Sequence, residues 1–431
     1  MIKYEDYNWS YTDECLLEDY KESFLRIKKE NKKLKTVTYE NCHFLPLKNV
    51  LNYWTFFEGG VFDSNFKFIE EAKLLPNRVF YSYRFDKENF YYDNREVIFA
   101  GYFWDHWGHF ILEQISRLWY FLNEKDSTLP IVYMGNKPLE GNYLEFFELL
   151  GIDTKRLIFV EKPTKFKKVH IPEVSMVAMS YFTDEYSKIF EKVRSSVIKD
   201  ENYPKKIFFT RRNFPRSKNT DFGAIKEVES FFESNGYTFI SPEKLTLKEQ
   251  VKYLKSCDEY VCVSGTLPHN ILFAEKNIKS IVLNKSYIIN PHQPLIEMAT
   301  GIKTTYIDTH LSLLRQHIGR GPFYFSFTDN LENWAKDNNL AYTPCSNEKY
   351  LKDFFIHYLR VMPETIKIYA MNQINIKLRT YYLNKTKHKF LIKFALFLIA
   401  LILTPRALYS KKLKPYRLLS LVLATKIKLA L

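Results

Sequence analysis

The sequence predicts an α/β protein of two Rossmann-like, doubly wound lobes followed by a basic, amphipathic helical tail. Three observations predict it. Short β-type runs alternate with helical spacings from Glu96 to Ile307, a Tyr203-Pro204 turn interrupts that alternation, and acidic residues stop altogether at Glu364. A chain of 431 residues with 46% hydrophobic and 17% aromatic content can bury a large core, and its length suits two or three domains. The expected boundaries are 1–203 for the first lobe, 204–345 for the second lobe and 346–431 for the tail.

Residues 1 to about 95 are rich in Tyr, Phe and Lys with weak periodicity, and read as an irregular, partly stranded lead-in to the first lobe. The signals then sharpen. Val97 to Phe103 is a strand-like run, and Trp107 to Leu122 places apolar residues at helical spacing. A strand Ile131 to Met134, a helix Tyr143 to Leu150 stopped by Gly151, and a strand Leu157 to Val160 follow. A long amphipathic helix from Asp184 to Val197 leads to the boundary turn.

The second lobe alternates more regularly. Strands are expected at Ile207 to Thr210, Thr238 to Ser241, Tyr260 to Val263, Ser280 to Leu283 and Thr305 to Ile307. Helices are expected between them at Ala224 to Ser234, Leu247 to Ser256, His269 to Glu275 and Pro294 to Ala299. This order gives a parallel sheet, and such sheets bind ligands at the carboxyl ends of their strands.

Two loops lie at such ends. The strand from Ile207 empties into Arg211, Arg212 and Arg216, and guanidinium groups suit bidentate recognition of phosphate. The strand from Tyr260 empties into Ser264, Gly265, Thr266, Leu267, Pro268, His269 and Asn270, a small-residue turn opening a helix, which offers backbone N–H groups to an anion. Taken singly, the first reads equally as a solvated basic turn and the second as a plain N-cap. Their joint placement on one sheet edge favours a shared anionic ligand.

The run from Phe208 to Phe273 resembles the core of glycosyltransferase family 61. The resemblance is carried by the Arg-rich strand end, Gly236 followed by Pro242-Glu243, the helix Leu245-x-x-x-Glu249-Gln250, and the turn Gly265-Thr266-x-x-x-Asn270. Upstream, His109-Phe-Ile-Leu-Glu113-x-x-x-Arg117-Leu is similar to the family's other hallmark helix. Together these span roughly Gly101 to Asp308, about half the chain.

The resemblance implies a GT-B fold and an inverting transfer from a nucleotide-sugar donor, with no metal or other cofactor required. It implies that Arg211, Arg212 and Arg216 contact the donor diphosphate and that Gly265, Thr266 and Asn270 line the nucleotide side. Glu249 and Gln250 match a motif whose role is packing or binding. The sequence departs from the family where Ser264 replaces a common His, and His269 offers an imidazole from a new position.

An inverting transfer needs a base for the acceptor hydroxyl. His106, His109 and Glu113 are the candidates, because His109 and Glu113 stand one helical turn apart and a carboxylate there can orient an imidazole. Asp105 is either a further candidate or the helix N-cap, and Arg117 is expected to pair with Glu113. Two packed histidines at a helix start are the bland alternative. The spacing HxxHxxxE matches no familiar zinc site, and no Asp-x-Asp motif is present, so no metal site is expected.

The net charge of +14 equals the fourteen Lys and Arg residues that follow Glu364, so the preceding body is electroneutral. Nucleic-acid binding by the body is therefore not expected, since it needs clustered cations. The apolar run Phe394 to Leu403, flanked by lysines, is too short to span a bilayer and suits a helix lying on an anionic membrane surface. Five scattered cysteines and an N-terminus with no basic-then-apolar leader fit the cytoplasmic face of a membrane. The expected acceptor is a membrane-tethered glycan, such as a capsule or lipopolysaccharide precursor. A sugar-phosphate transferase and a non-catalytic nucleotide-binding assembly protein are the alternatives.

Overall fold

The computed structural model describes residues 2–343 apart from 49, 52–55, 75–78, 82–88, 124–127, 216–219, 287 and 311–320, together with residues 350 and 353. The basic tail and Arg216 thus lie outside the described residues.

The chain is mixed α/β and builds two principal sheets. The first has six strands in the order Gly60–Phe62, Thr36–Leu45, Thr164–Pro172, Tyr91–Phe103, Ile131–Gly135 and Leu157–Phe159. Its last four strands are mutually parallel, and Thr36–Leu45 runs antiparallel to both of its neighbours, Thr164–Pro172 and Gly60–Phe62. The expectation of a wholly doubly wound first lobe is thereby corrected, while the lead-in is partly stranded as expected but more regular. The lead-in contains the helix Glu14–Arg26 and the ten-residue strand Thr36–Leu45. The unforeseen strand Thr164–Pro172 sits between Thr36–Leu45 and Tyr91–Phe103. It buries Phe166, Val169 and Ile171, a one-faced pattern whose phase is shifted by one residue at a register irregularity between Phe166 and Lys168.

The second sheet has five parallel strands in the order Thr238–Ile240, Lys206–Phe209, Glu259–Val263, Lys279–Asn284 and Thr304–Asp308. Numbered by sequence within the lobe, that order is 2-1-3-4-5, and its direction of winding reverses between Lys206–Phe209 and Glu259–Val263. All five strands fall where the alternation predicted them, within a residue at either end. Helix Leu247–Ser256 starts at a capping box between Thr246 and Glu249, and Asn142–Leu150 stops at Gly151 in the left-handed region (φ 89°).

Two predicted helices come out differently. Trp107–Leu112 is α-helical, but the chain then tightens into a 3-10 segment, Gln114–Arg117, before a last helical turn at Tyr120–Asn123. All four residues of the 3-10 segment are buried, so apolar spacing alone does not separate it from a continuous helix. The segment after Thr266 is likewise a 3-10 helix, Leu267–Phe273, and not an α-helix. It supplies no long helix dipole to the turn before it.

One hydrophobic cluster runs between the lobes. Phe273 of the second packs against Trp107, Phe146 and Phe190. The Glu145 carboxylate accepts from Leu247 N at 2.6 Å and Lys248 N at 3.2 Å, capping a second-lobe helix from the first lobe. The N-terminal residues also dock on the second lobe. Tyr7 and Tyr20 hydroxyls donate to Glu297 at 2.6 and 2.8 Å, and the Tyr306 hydroxyl reaches the same carboxylate at 2.7 Å.

Candidate active site

A cleft of about 760 Å³ opens between the carboxyl ends of the two sheets. Its second-lobe wall is the topological reversal point, where Lys206–Phe209 delivers Thr210 and Arg211 and Glu259–Val263 delivers Ser264, Gly265 and Thr266. Facing them from the first lobe are Asp105, His106 and Trp107, at the end of its strand Tyr91–Phe103, with Asn142 and Tyr143 beside them.

The two neighbouring arginines diverge. Arg211 lines the cleft, with its Nη2 3.8 Å from Asp221 and its guanidinium over the Phe214 ring. Arg212 turns away: its Nε donates to Glu229 at 3.0 Å and its guanidinium lies over Phe239. Successive side chains leave a strand on opposite faces, and Glu229, which also accepts from Thr210 Oγ1, waits on the far one. Of the three arginines expected at the diphosphate, Arg211 lines the cleft, Arg212 anchors the strand end on Glu229, and Arg216 lies outside the described residues.

The turn after Val263 is fixed from behind. Ser264 is buried, and its Oγ accepts from Lys285 N at 3.2 Å. Gly265 takes φ +138°, a conformation glycine tolerates, and its carbonyl accepts from Asn290 Nδ2 at 2.9 Å. Thr266 meets the first lobe at Gly108, where an added Cβ would stand 3.0 Å from Thr266 Oγ1. Asn270 Oδ1 accepts from Trp107 Nε1 at 2.9 Å, tying the same two elements together.

His269 does not replace the missing imidazole in the cleft. It is buried and absent from the lining, and both its ring nitrogens are engaged. Nδ1 donates to Gln293 Oε1 at 2.9 Å, and Nε2 accepts from Asn290 Nδ2 at 3.3 Å. Burial, opposed only by the Gln293 bond and reinforced by the neighbouring His292, His109 and His106, pushes its pKa down to about 3. It is a neutral brace for the turn.

On the first-lobe wall, His106 is the N-cap of the helix that begins at Trp107. Its Nδ1 accepts from His109 N at 3.3 Å, so the capping role offered to Asp105 falls to His106. Asp105 instead accepts from the Tyr143 hydroxyl at 2.9 Å and pairs with Lys137 at 3.3 Å. His109 Nδ1 is hydrogen-bonded to the buried Glu113 carboxylate, as the one-turn spacing anticipates. Donation from Nδ1 leaves Nε2 as the basic nitrogen of that ring. The two imidazoles are 4.5 Å apart, and His106 is the one lining the cleft.

Arg117 does not pair with Glu113. It is buried, and its Nη2 donates to the Glu71 and Lys73 carbonyls, both at 2.6 Å, while burial lowers its pKa to about 10. Glu249 caps its own helix, and Gln250 Nε2 donates to the Pro242 carbonyl at 3.0 Å, so the Glu-Gln motif holds the turn that borders the cleft. Among the described residues no group of three His, Cys, Asp or Glu side chains is placed to hold a metal, and no helix is long and apolar enough to cross a membrane.

The sequence reading passed over Lys285. It follows the strand Lys279–Asn284, is 2% exposed, and lines the cleft beside Gly265. A lysine after a strand resembles a solvated turn, and only the fold reveals that it is buried.

No curated protein matches the chain. The family model described as Glycosyltransferase 61 matches residues 107–282, which begin at the first-lobe helix and run through both strand ends of the second wall. Residues 107–282 thus carry a glycosyltransferase family 61 domain, which supports a role in glycosyl transfer for the protein.

Proposed function

We propose that the cleft binds a nucleotide sugar in a GT-B arrangement of lobes 1–203 and 204–345 and transfers its sugar with inversion to a glycan acceptor. The observation that carries this reading is the convergence of Arg211 and the Gly265-Thr266 turn at the reversal point of a parallel sheet, opposite the histidine wall. The donor diphosphate lies against Arg211 and the backbone of the turn, which stabilise it as it departs. Asn270 borders the nucleotide. His109, oriented by Glu113, serves as the base, with His106 between it and the cleft. Asp105 orders Tyr143 on the acceptor side.

The acceptor in this reading is membrane-tethered, in a capsule or lipopolysaccharide pathway. The tail 346–431 holds the enzyme at the cytoplasmic face, as the unbroken positive charge after Glu364 suggests. No metal takes part.

The test is release of free nucleoside diphosphate from a panel of nucleotide sugars, with and without a lipid-linked glycan extract. One donor is expected to be consumed in an acceptor-dependent way. Binding with no release would favour a non-catalytic nucleotide-binding protein instead. For the tail, deletion of residues 385–431 is expected to abolish sedimentation with anionic vesicles, and persistent sedimentation would remove the anchor from the reading.

A further inference from the structure

We propose that Lys285 is a second ligand of the donor diphosphate, closing on it together with Arg211 across Gly265. This deepens the nucleotide-sugar reading and rests on it. Four features of the site point there.

Lys285 is buried at the carboxyl edge of the sheet and yet forms part of the cleft lining. Among the described residues no acid lies within ion-pair distance of its ammonium, whose nearest aromatic contact is the Phe323 ring at 4.1 Å. Its position is set by the turn itself. The backbone N–H is bonded to Ser264, and Nζ stands 3.2 Å from where a Cβ on Gly265 would be, so glycine leaves the amine uncovered.

Arg211 and Lys285 converge, and Asp221, 3.8 Å from Arg211, is the carboxylate that faces them. Burial first, and the Arg211 charge second, hold Lys285 well below the usual lysine range, with Asp221 only partly opposing. A buried amine beside the partly buried Arg211 guanidinium, with Asp221 opposing them, is a site that an incoming anion stabilises. A diphosphate supplies that anion at the strand end where such ligands bind, and favours the protonated amine on contact.

Titration calorimetry of UDP, GDP, CDP and ADP, each beside its parent nucleoside, tests this on the full chain and on Lys285→Met. Methionine reaches to the Cε position and removes the amine, with sulfur replacing one methylene. Whichever diphosphate binds the wild type is expected to bind the variant roughly ten- to hundredfold more weakly, with nucleoside affinity unchanged. Equal diphosphate affinity in the two proteins overturns the assignment and leaves the nucleotide-sugar reading standing. Failure of all four to bind the wild type overturns both. A measurement on the wild type alone guards against a damaged variant. In competitive acetylation, the diphosphate and not the nucleoside should protect Lys285, and labelling that the diphosphate leaves unchanged overturns the assignment.

Discussion

The two walls of the cleft are built by different means. The second-lobe wall hangs from the ends of two adjacent parallel strands and is braced by a helix behind it. Gln293 holds His269, Asn290 holds the Gly265 carbonyl, and four residues beyond Gln293 the buried Glu297 gathers three tyrosine hydroxyls. The first-lobe wall is a six-residue helix that breaks straight into a 3-10 segment, and side chains on that short element hold its imidazoles. His106 caps the helix that presents His109, and Glu113 sits at the break. Fixed backbone suits an anion bound in one place, while an imidazole held by a single carboxylate suits a group that must gain and lose a proton.

If the walls divide the labour in this way, damage to one should spare the function of the other. His109→Ala is expected to give the largest effect, lowering kcat by roughly 10²–10⁴ while nucleoside diphosphate affinity stays unchanged. Glu113→Gln should follow it in direction with a smaller loss. Near-normal turnover in His109→Ala, measured under saturating donor, would take the base away from this wall. Arg211→Ala is the converse, expected to weaken the diphosphate roughly ten- to hundredfold in calorimetry. Unchanged affinity there would break the assignment of the phosphates to the second wall.

The rigidity of the second wall carries its own pH signature. Burial pushes Glu297 up to about 7, against a tyrosine cluster that pulls the other way. An unfolded glutamate titrates near ~4.3, so between those values the folded chain keeps a proton that the unfolded chain has lost. Stability from this group is full in acid and declines as pH rises through that window, by on the order of 3–4 kcal/mol in total. His269, held down near 3, contributes with the opposite sign, its stabilisation being lost as pH falls below ~6.5. The two slopes overlap in the intact protein, and Glu297→Gln separates them. Urea unfolding at pH 5.5 and pH 8 should show the variant gaining about 2 kcal/mol relative to wild type at the higher pH. A pH-independent difference would mean that Glu297 is ionised throughout.

The same contrast explains what the sequence makes legible. Parallel strands buried on both faces read as short apolar runs between turns, so all five strands of the second sheet could be placed, and with them Arg211 and the Ser264 to Asn270 turn. In the first lobe Thr164–Pro172 sets Phe166, Val169 and Ile171 among lysines, and the register shift between Phe166 and Lys168 breaks the alternation that would mark a strand. The break after Leu112 was hidden for another reason: Gln114, Ile115, Ser116 and Arg117 are all buried, and a segment packed on every side has no polar face to betray its pitch. Arg117 and Lys285 are charges that fold context buries, and no local spacing announces that. The joining of Glu113 to His109 was readable because it lies within one helical turn.

The smallest predicted effect on binding is the sharpest probe of that geometry. Arg211 and Arg212 are adjacent and identical in chemistry, so any account based on local positive charge assigns them equal roles. Strand alternation separates them, giving one to the cleft and the other to Glu229. Arg212→Ala should therefore leave diphosphate affinity within roughly twofold, since a charge on the far face is screened by water and by its own partner. Its effect should appear in the fold. Glu229 is nearly buried and loses a charge-assisted bond while keeping the Thr210 hydroxyl, and the half-exposed guanidinium limits the cost to about 1 kcal/mol in chemical denaturation. A loss of affinity matching that of Arg211→Ala would instead mean that Arg212 leaves Glu229 when the donor enters, and the second wall would be less fixed than its hydrogen bonds indicate.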